Sequence, residues 1–198
     1  MKLLLATHNE HKRREFERLL VAGAGSWLAI EALGADVQLP PEDGETFAEN
    51  ALGKARAAAR ASGGPSFADD SGIAAEALGG APGVRSARYA GEHASDAENL
   101  RKLLEEVPAG GALEYVCAIG YVDPARGIER LFEGRCRGRL APEPRGERGF
   151  GYDPAFLPDD GPQGLTMAEL TDEQKDLISH RGRAARAMLA WLEGEQRG

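Results

Sequence analysis

Four short segments of this chain combine residue types that could do chemistry. Phe67-Ala68-Asp69-Asp70-Ser71-Gly72 sets two adjacent carboxylates at the end of an apolar strand, ahead of Ser-Gly. Hard oxygen donors there suit a divalent cation that also takes substrate phosphates. A carboxylate beside such an ion can orient or deprotonate a water. Thr7-His8-Asn9-Glu10-His11-Lys12 sits where an apolar strand hands over to a helix. Unpaired N–H groups at the positive end of a helix attract phosphate, and a hydroxyl, an amide and a first-turn lysine add to that. Gly149-Phe150-Gly151-Tyr152-Asp153-Pro154 offers a flat heterocycle an aromatic to stack on, close backbone approach and an acceptor. Lys175 with Ser179-His180-Arg181-Gly182 supplies donors for a carbonyl on a base edge or for phosphate. Each piece also has a plainer reading: a surface turn at Asp69–Gly72, helix capping by Thr7 or Asn9, a core aromatic, and a capped helix start with a solvated arginine.

The elements that must position these segments alternate along the chain. Residues 2–6 read as a buried strand and 12–20 as an amphipathic helix with Phe16, Leu19 and Leu20 inward. Residues 27–33 form a second strand. Thr46-Phe47-Ala48-Glu49 is a capping box opening an alanine-rich helix to Ala61, which Gly63-Gly64-Pro65 ends. Residues 66–69 and 72–78 follow as two short strands. Ser95-Asp96-Ala97-Glu98 repeats the capping box and opens a helix through Glu106. Residues 113–122 and 128–140 read as two longer strands around the turn Asp123-Pro124-Ala125-Arg126-Gly127, the second alternating arginine with smaller or apolar residues. Helices over 171–177 and 179–193 complete one α/β domain with a mixed sheet, residues 1–193, ahead of a polar tail at 194–198.

The 198 residues, 42% of them hydrophobic, are enough for a sizeable core. A net charge of −8 argues against a broad nucleic-acid footprint. No apolar run approaches a membrane span and the N-terminus lacks a signal-peptide pattern, so a cytoplasmic protein is expected. Cys117 and Cys136, in no metal-ligand spacing, read as buried thiols. No G-x-x-x-x-G-K-[ST] occurs, which excludes a P-loop.

Taken in order, the segments resemble the inosine-triphosphate pyrophosphatase family, enzymes that hydrolyse deaminated purine nucleoside triphosphates. The likeness rests on Thr7-x-Asn9-x-x-Lys12, Thr46-Phe47-x-Glu49-Asn50-Ala51-x-x-Lys54-Ala55, Ala68-Asp69-Asp70-Ser71-Gly72, Leu78-Gly79-Gly80-Ala81-Pro82-Gly83 with Ser86-Ala87-Arg88-Tyr89, Gly149-Phe150-Gly151-Tyr152-Asp153-Pro154 and Ser179-His180-Arg181-Gly182. It runs from residue 7 to 182, nearly the whole chain.

The resemblance implies an elongated mixed α/β sheet flanked by helices, two lobes with a central cleft, and a homodimer. Thr7, Asn9 and Lys12 would hold the triphosphate, with Lys54 reaching it from the second helix and His8, Glu10 and His11 among the substrate-binding residues of the same loop. Asp70 would bind Mg²⁺ and help activate water, with Asp69 beside it, and Ser71 would contact substrate. Phe150 would stack on the purine, Tyr152 and Asp153 would line its sugar-base side, and Lys175, His180 and Arg181 would read the base edge. Gly151, between Phe150 and Tyr152, would also bind substrate. His8 stands where the family usually has glycine, giving a stiffer loop or an added contact. The acidic partner for the metal falls in Pro41-Glu42-Asp43-Gly44-Glu45, with Glu42 the first candidate and Glu45 its rival. A pyrophosphatase for other modified nucleotides, such as modified pyrimidine triphosphates, and a non-catalytic nucleotide sensor are the alternatives. Asp70 counts against the sensor.

Overall fold

The structure is a computed structural model that describes residues 1–24, 27–34 and 37–197. In chain order its elements are β1 (Lys2–Leu5), α1 (Glu10–Phe16), β2 (Ala29–Ala32), α2 (Phe47–Ser62), β3 (Ser66–Ala75), α3 (Asp96–Glu106), β4 (Ala112–Asp123), β5 (Ile128–Leu140), β6 (Phe156–Pro158), α4 (Asp172–Ile178) and α5 (His180–Arg197). The strands hydrogen-bond in the order β2-β1-β3-β4-β5-β6. β1 pairs in parallel with β2 and β3, whereas β5 and β6 are antiparallel, so the sheet is mixed as expected.

The chain divides into two compact units, each assembled from separate stretches. The first comprises Met1–Asp70, Cys117–Gly134 and Arg183–Gly198, and the second Ser71–Val116 and Arg135–Gly182. Strands β3, β4 and β5 each contribute residues to both. In the first unit Leu3, Leu5, Phe16, Leu20, Phe67 and Ile119 pack against Met188 and Leu192 of α5. The alanine face of α2 (Ala55, Ala58, Ala59) closes on Ala6 and Ala68. In the second unit Ile73, Leu103, Leu113, Tyr115, Cys136, Phe156 and Met167 form one core. Both cysteines are buried thiols.

Local signals explain most boundaries. Thr46 caps α2 with both halves of a capping box, and Gly63 ends it at φ 69°, a left-handed conformation that glycine adopts without a Cβ penalty. Ser95 caps α3 in the same way. Three boundaries differ from the sequence reading. α1 begins at Glu10, two residues early, because the Asn9 side chain accepts from the His11 and Lys12 amides, and it runs into a π-helical turn, Glu17–Val21. β2 is confined to Ala29–Ala32. α5 continues through Arg197, where the guanidinium bonds back to the Glu193 carbonyl at 3.2 Å, so residues 194–197 are helix and not tail.

The largest difference is at β3. In place of two strands broken by a turn, Ser66–Ala75 is one strand, and Glu76–Leu78 is a 3₁₀ turn. The turn-like residues Asp69 to Gly72 stay extended because their polar groups find partners within the fold. Gly72 is required there: a Cβ would lie 2.3 Å from Ser86 Oγ and 2.6 Å from the Gly83 carbonyl oxygen.

Candidate active site

In the first unit a cluster of charges forms around the last residues of β3 that belong to it. Successive side chains of a strand point to opposite faces, so Asp69 and Asp70 meet different helices. Asp69 Oδ2 lies 3.0 Å from the Lys12 ammonium of α1. Asp70 Oδ2 accepts from Asn50 Nδ2 of α2 at 2.8 Å. One helical turn beyond Asn50, Lys54 donates to the Asp69 carbonyl oxygen at 2.7 Å and pairs with Glu42. The other end of Asn50 accepts from the Gly44 amide at 2.8 Å, tying down the acidic loop before α2. Asn50, Lys54, Asp69 and Asp70 are all buried.

Burial and charge compete at both central groups. Burial pushes the Lys54 ammonium towards its neutral form, but Asp69, Glu42 and Asp70 outweigh it and its pKa lies above the ordinary value. Burial raises Asp70, Lys54 opposes it, and Glu42 reinforces it; Lys12 and the Asn50 hydrogen bond offset only part, so the carboxyl sits above the usual range. A buried carboxyl with a raised pKa beside two ammonium groups is suited to taking a proton from water.

In the second unit a different set forms around Phe150. The Lys175 ammonium lies 5.4 Å and the Arg181 guanidinium 5.6 Å from the centroid of its ring. Arg181 donates to Ser71 Oγ at 2.7 Å. Lys175 donates to Asp153 Oδ2 at 2.7 Å, and the same oxygen accepts from the Phe150 amide at 3.0 Å. Asp153 Oδ1 accepts from the Tyr115 hydroxyl at 3.1 Å. His180 stacks on Tyr115, centroids 4.5 Å apart and planes 9° from parallel. Asp153, Lys175, His180 and Arg181 are each no more than 5% exposed, whereas Phe150 is half-buried. Gly149 turns at φ 73°, and a Cβ there would lie 2.0 Å from Asp153 Oδ2, so only glycine lets the carboxylate cap this loop.

The sequence-predicted residues therefore fall into two groups. Lys12, Lys54, Asp69, Asp70 and Glu42 come together, and so do Ser71, Phe150, Asp153, Lys175, His180 and Arg181. Arg181 is not the solvated arginine of the plainer reading. Others lie outside both clusters. Thr7 Oγ1 accepts from the Asn9 amide at 3.2 Å, and Asn9 caps α1, so the loop shows the capping geometry. Glu10 pairs with Arg13 on the exposed face of α1. His11 is exposed. His8 gains a contact, its ring nitrogen 3.2 Å from the Val37 carbonyl oxygen. Glu45 is exposed and its amide is held by Glu49. Tyr152 is buried with its hydroxyl donating to the Ser86 carbonyl at 2.7 Å, and the Gly151 amide donates to Asp96 at 2.9 Å; both brace the loop. Sequence reasoning missed Asn50 and Tyr115. Asn50 had a signal: it lies on the buried alanine face of α2, one turn from Lys54, where an amide needs a partner.

Comparison with known proteins adds what geometry alone does not. A sequence model described as the Ham1 family matches residues 3–191. A protein of Cutibacterium acnes named dITP/XTP pyrophosphatase is 45% identical over 98% of both chains. A protein of the same name from Symbiobacterium thermophilum is 50% identical over 92% of this chain and 90% of its own. Among solved structures, a HAM1 protein from Coxiella burnetii superposes with a TM-score of 0.86 at 36% identity, over 98% of this chain and 99% of its own. The Staphylococcus aureus Ham1 protein gives 0.82 at 37% identity, covering 98% and 100%. Fold, ordered motifs and near-full-length identity agree, and this chain belongs to the Ham1 family.

Proposed function

We propose that this chain hydrolyses the triphosphates of deaminated purines (dITP, ITP and XTP) to the nucleoside monophosphate and pyrophosphate. The observation that carries the reading is the run Asp69-Asp70-Ser71 on β3. Its carboxylates engage Lys12 and Asn50, and its serine engages Arg181 beside Phe150. The relatives named dITP/XTP pyrophosphatase support the same substrate class.

A triphosphate brings about four negative charges and competes with the carboxylates for Lys12 and Lys54. Asp70 would help activate the attacking water from its place on β3. Among the described residues no three His, Cys, Asp or Glu side chains gather to cage a metal. Mg²⁺ uses one or two carboxylates together with substrate phosphates, and Asp70 and Glu42 are the residues we assign to it. When bound, the ion neutralises charge developing on the departing pyrophosphate.

Phe150 offers the purine a ring to stack on. Lys175 and Arg181 are donors without acceptor capacity, so they match the 6-oxo group of hypoxanthine or xanthine and oppose the 6-amino group of adenine. A site whose buried donors are left unpaired can discriminate by ~10⁴-fold. Pyrophosphate release from ITP, XTP, dITP, GTP and ATP, with and without Mg²⁺, tests the whole reading. ITP, dITP and XTP are expected to exceed ATP by at least about a hundredfold and to require the metal. Equal turnover of ATP sinks the base assignment. We also assign the protein to the cytoplasm as a homodimer, for which light scattering should give about twice 21.1 kDa.

A further inference from the structure

Tyr115 of β4 takes no part in the chemistry above, yet it touches two of the residues assigned to the base. Its ring lies against Phe156 at 4.5 Å between centroids and against His180 at the same distance, nearly parallel. Its hydroxyl donates to one oxygen of Asp153 at 3.1 Å. The other oxygen of that carboxylate accepts from Lys175 Nζ at 2.7 Å and from the Phe150 amide at 3.0 Å. A carboxylate bonded through both oxygens is fixed in rotation as well as position, and the groups bonded to it inherit that order.

A phenylalanine would fill the same core volume without burying a polar hydroxyl. The hydroxyl therefore contributes through its bond to Asp153, since an unpaired buried donor would be costly. We propose that Tyr115 is a positioning residue for base recognition. Its hydroxyl holds the Asp153 carboxylate that anchors Lys175 and the Phe150 backbone, and its ring sets the plane of His180. Burial, with the charge of Asp153, keeps the hydroxyl protonated far beyond the ordinary range, so it donates at any working pH. The proposal rests on the reading of Phe150, Lys175, His180 and Arg181 as the base site.

The test measures kcat/KM for ITP and ATP in the wild type, Tyr115→Phe, Lys175→Met and the double variant, with thermal melts of each. Tyr115→Phe should lose about tenfold on ITP and less than about threefold on ATP, the scale of one hydrogen bond to a charged group. In the Lys175→Met background the same change should cost clearly less than that roughly tenfold, because Lys175, one of the two groups that Asp153 anchors, is already gone. If the wild type prefers ITP but Tyr115→Phe keeps the ITP-to-ATP ratio, the proposal is overturned. An undiminished loss in the Lys175→Met background overturns it as well. A wild type that does not prefer ITP removes the base reading first, and this proposal with it. Should Tyr115→Phe not melt cooperatively, Asp153→Asn leaves one acceptor oxygen where Tyr115, Lys175 and the Phe150 amide need two, and an unchanged ratio there is equally fatal.

Discussion

Asp70 shows how opposing influences settle the state of one residue. Burial raises its carboxyl most, Lys54 opposes it, Glu42 raises it further, and the net pKa lies above 3.8. The folded chain therefore holds this proton in a window where the unfolded chain has lost it. The charged form costs stability as pH rises through that window. In the metal-free protein, carbon NMR of the Asp70 carboxyl should give a midpoint above the ordinary aspartate value, and Lys54→Met, which deletes the largest opposing influence, should move it higher still. A midpoint that falls in Lys54→Met would show that Lys54 does not act on Asp70. For activity, Asp70→Asn keeps shape and the Asn50 neighbour but cannot accept a proton, so turnover should drop at least ~10²-fold. Near-normal turnover would take Asp70 out of the mechanism. Arg181 has a different signature. Held by Ser71 at 2.7 Å and set beside Phe150, it is assigned to the base and not to phosphate. Arg181→Ala should narrow the ITP-to-ATP ratio of kcat/KM by about 1–3 kcal/mol, the cost of an unpaired buried group. Equal losses on both substrates would mean that Arg181 does not read the base.

β3 is the element that places these residues, and it is also where the sequence was hardest to read. Asp-Asp-Ser-Gly ordinarily breaks a strand, and nothing local says that Lys12, Asn50 and Arg181 will satisfy it. All three lie in segments distant along the chain, so the continuity of Ser66–Ala75 is a property of the tertiary fold. The capping boxes at Thr46 and Ser95, by contrast, are local and were legible residue by residue. The same division runs through the site. Lys12, Lys54, Asp69, Asp70, Phe150, Lys175, His180 and Arg181 were legible as an ordered set of motifs. Tyr115 was not, because one tyrosine in an apolar strand carries no signal until Asp153 and His180 are seen against it. Gly72 tests the continuous strand directly. Gly72→Ala brings a methyl within 2.3 Å of Ser86 Oγ and 2.6 Å of a backbone carbonyl, and backbone does not yield cheaply. A loss of about 1–3 kcal/mol in denaturant unfolding is expected, the usual cost of overpacking. An unchanged midpoint would mean that the strand and the Ser86 turn do not approach so closely.

At the scale of the whole molecule, the four tyrosines share one consequence of being packed into an acidic protein. Burial raises each of them: Tyr89 to about 12, with Glu106 adding to it, Tyr121 to about 12, and Tyr115 and Tyr152 upward as well. A phenol with its folded pKa above the unfolded value keeps its proton in the native state where the denatured chain has lost it. The stability this contributes is fully present below about pH 10, where unfolded tyrosine titrates, and is lost as pH rises through the native values. Each ionisation also adds to a net charge that is already −8, so later protons leave against growing repulsion. The expected outcome is a native absorbance at 295 nm that stays nearly flat through pH 10 and rises steeply only together with loss of near-ultraviolet circular dichroism. In strong urea the same four groups should titrate together near pH 10. A smooth native titration of all four centred near 10, with tertiary signal intact, would show that these side chains are not packed as the structure places them.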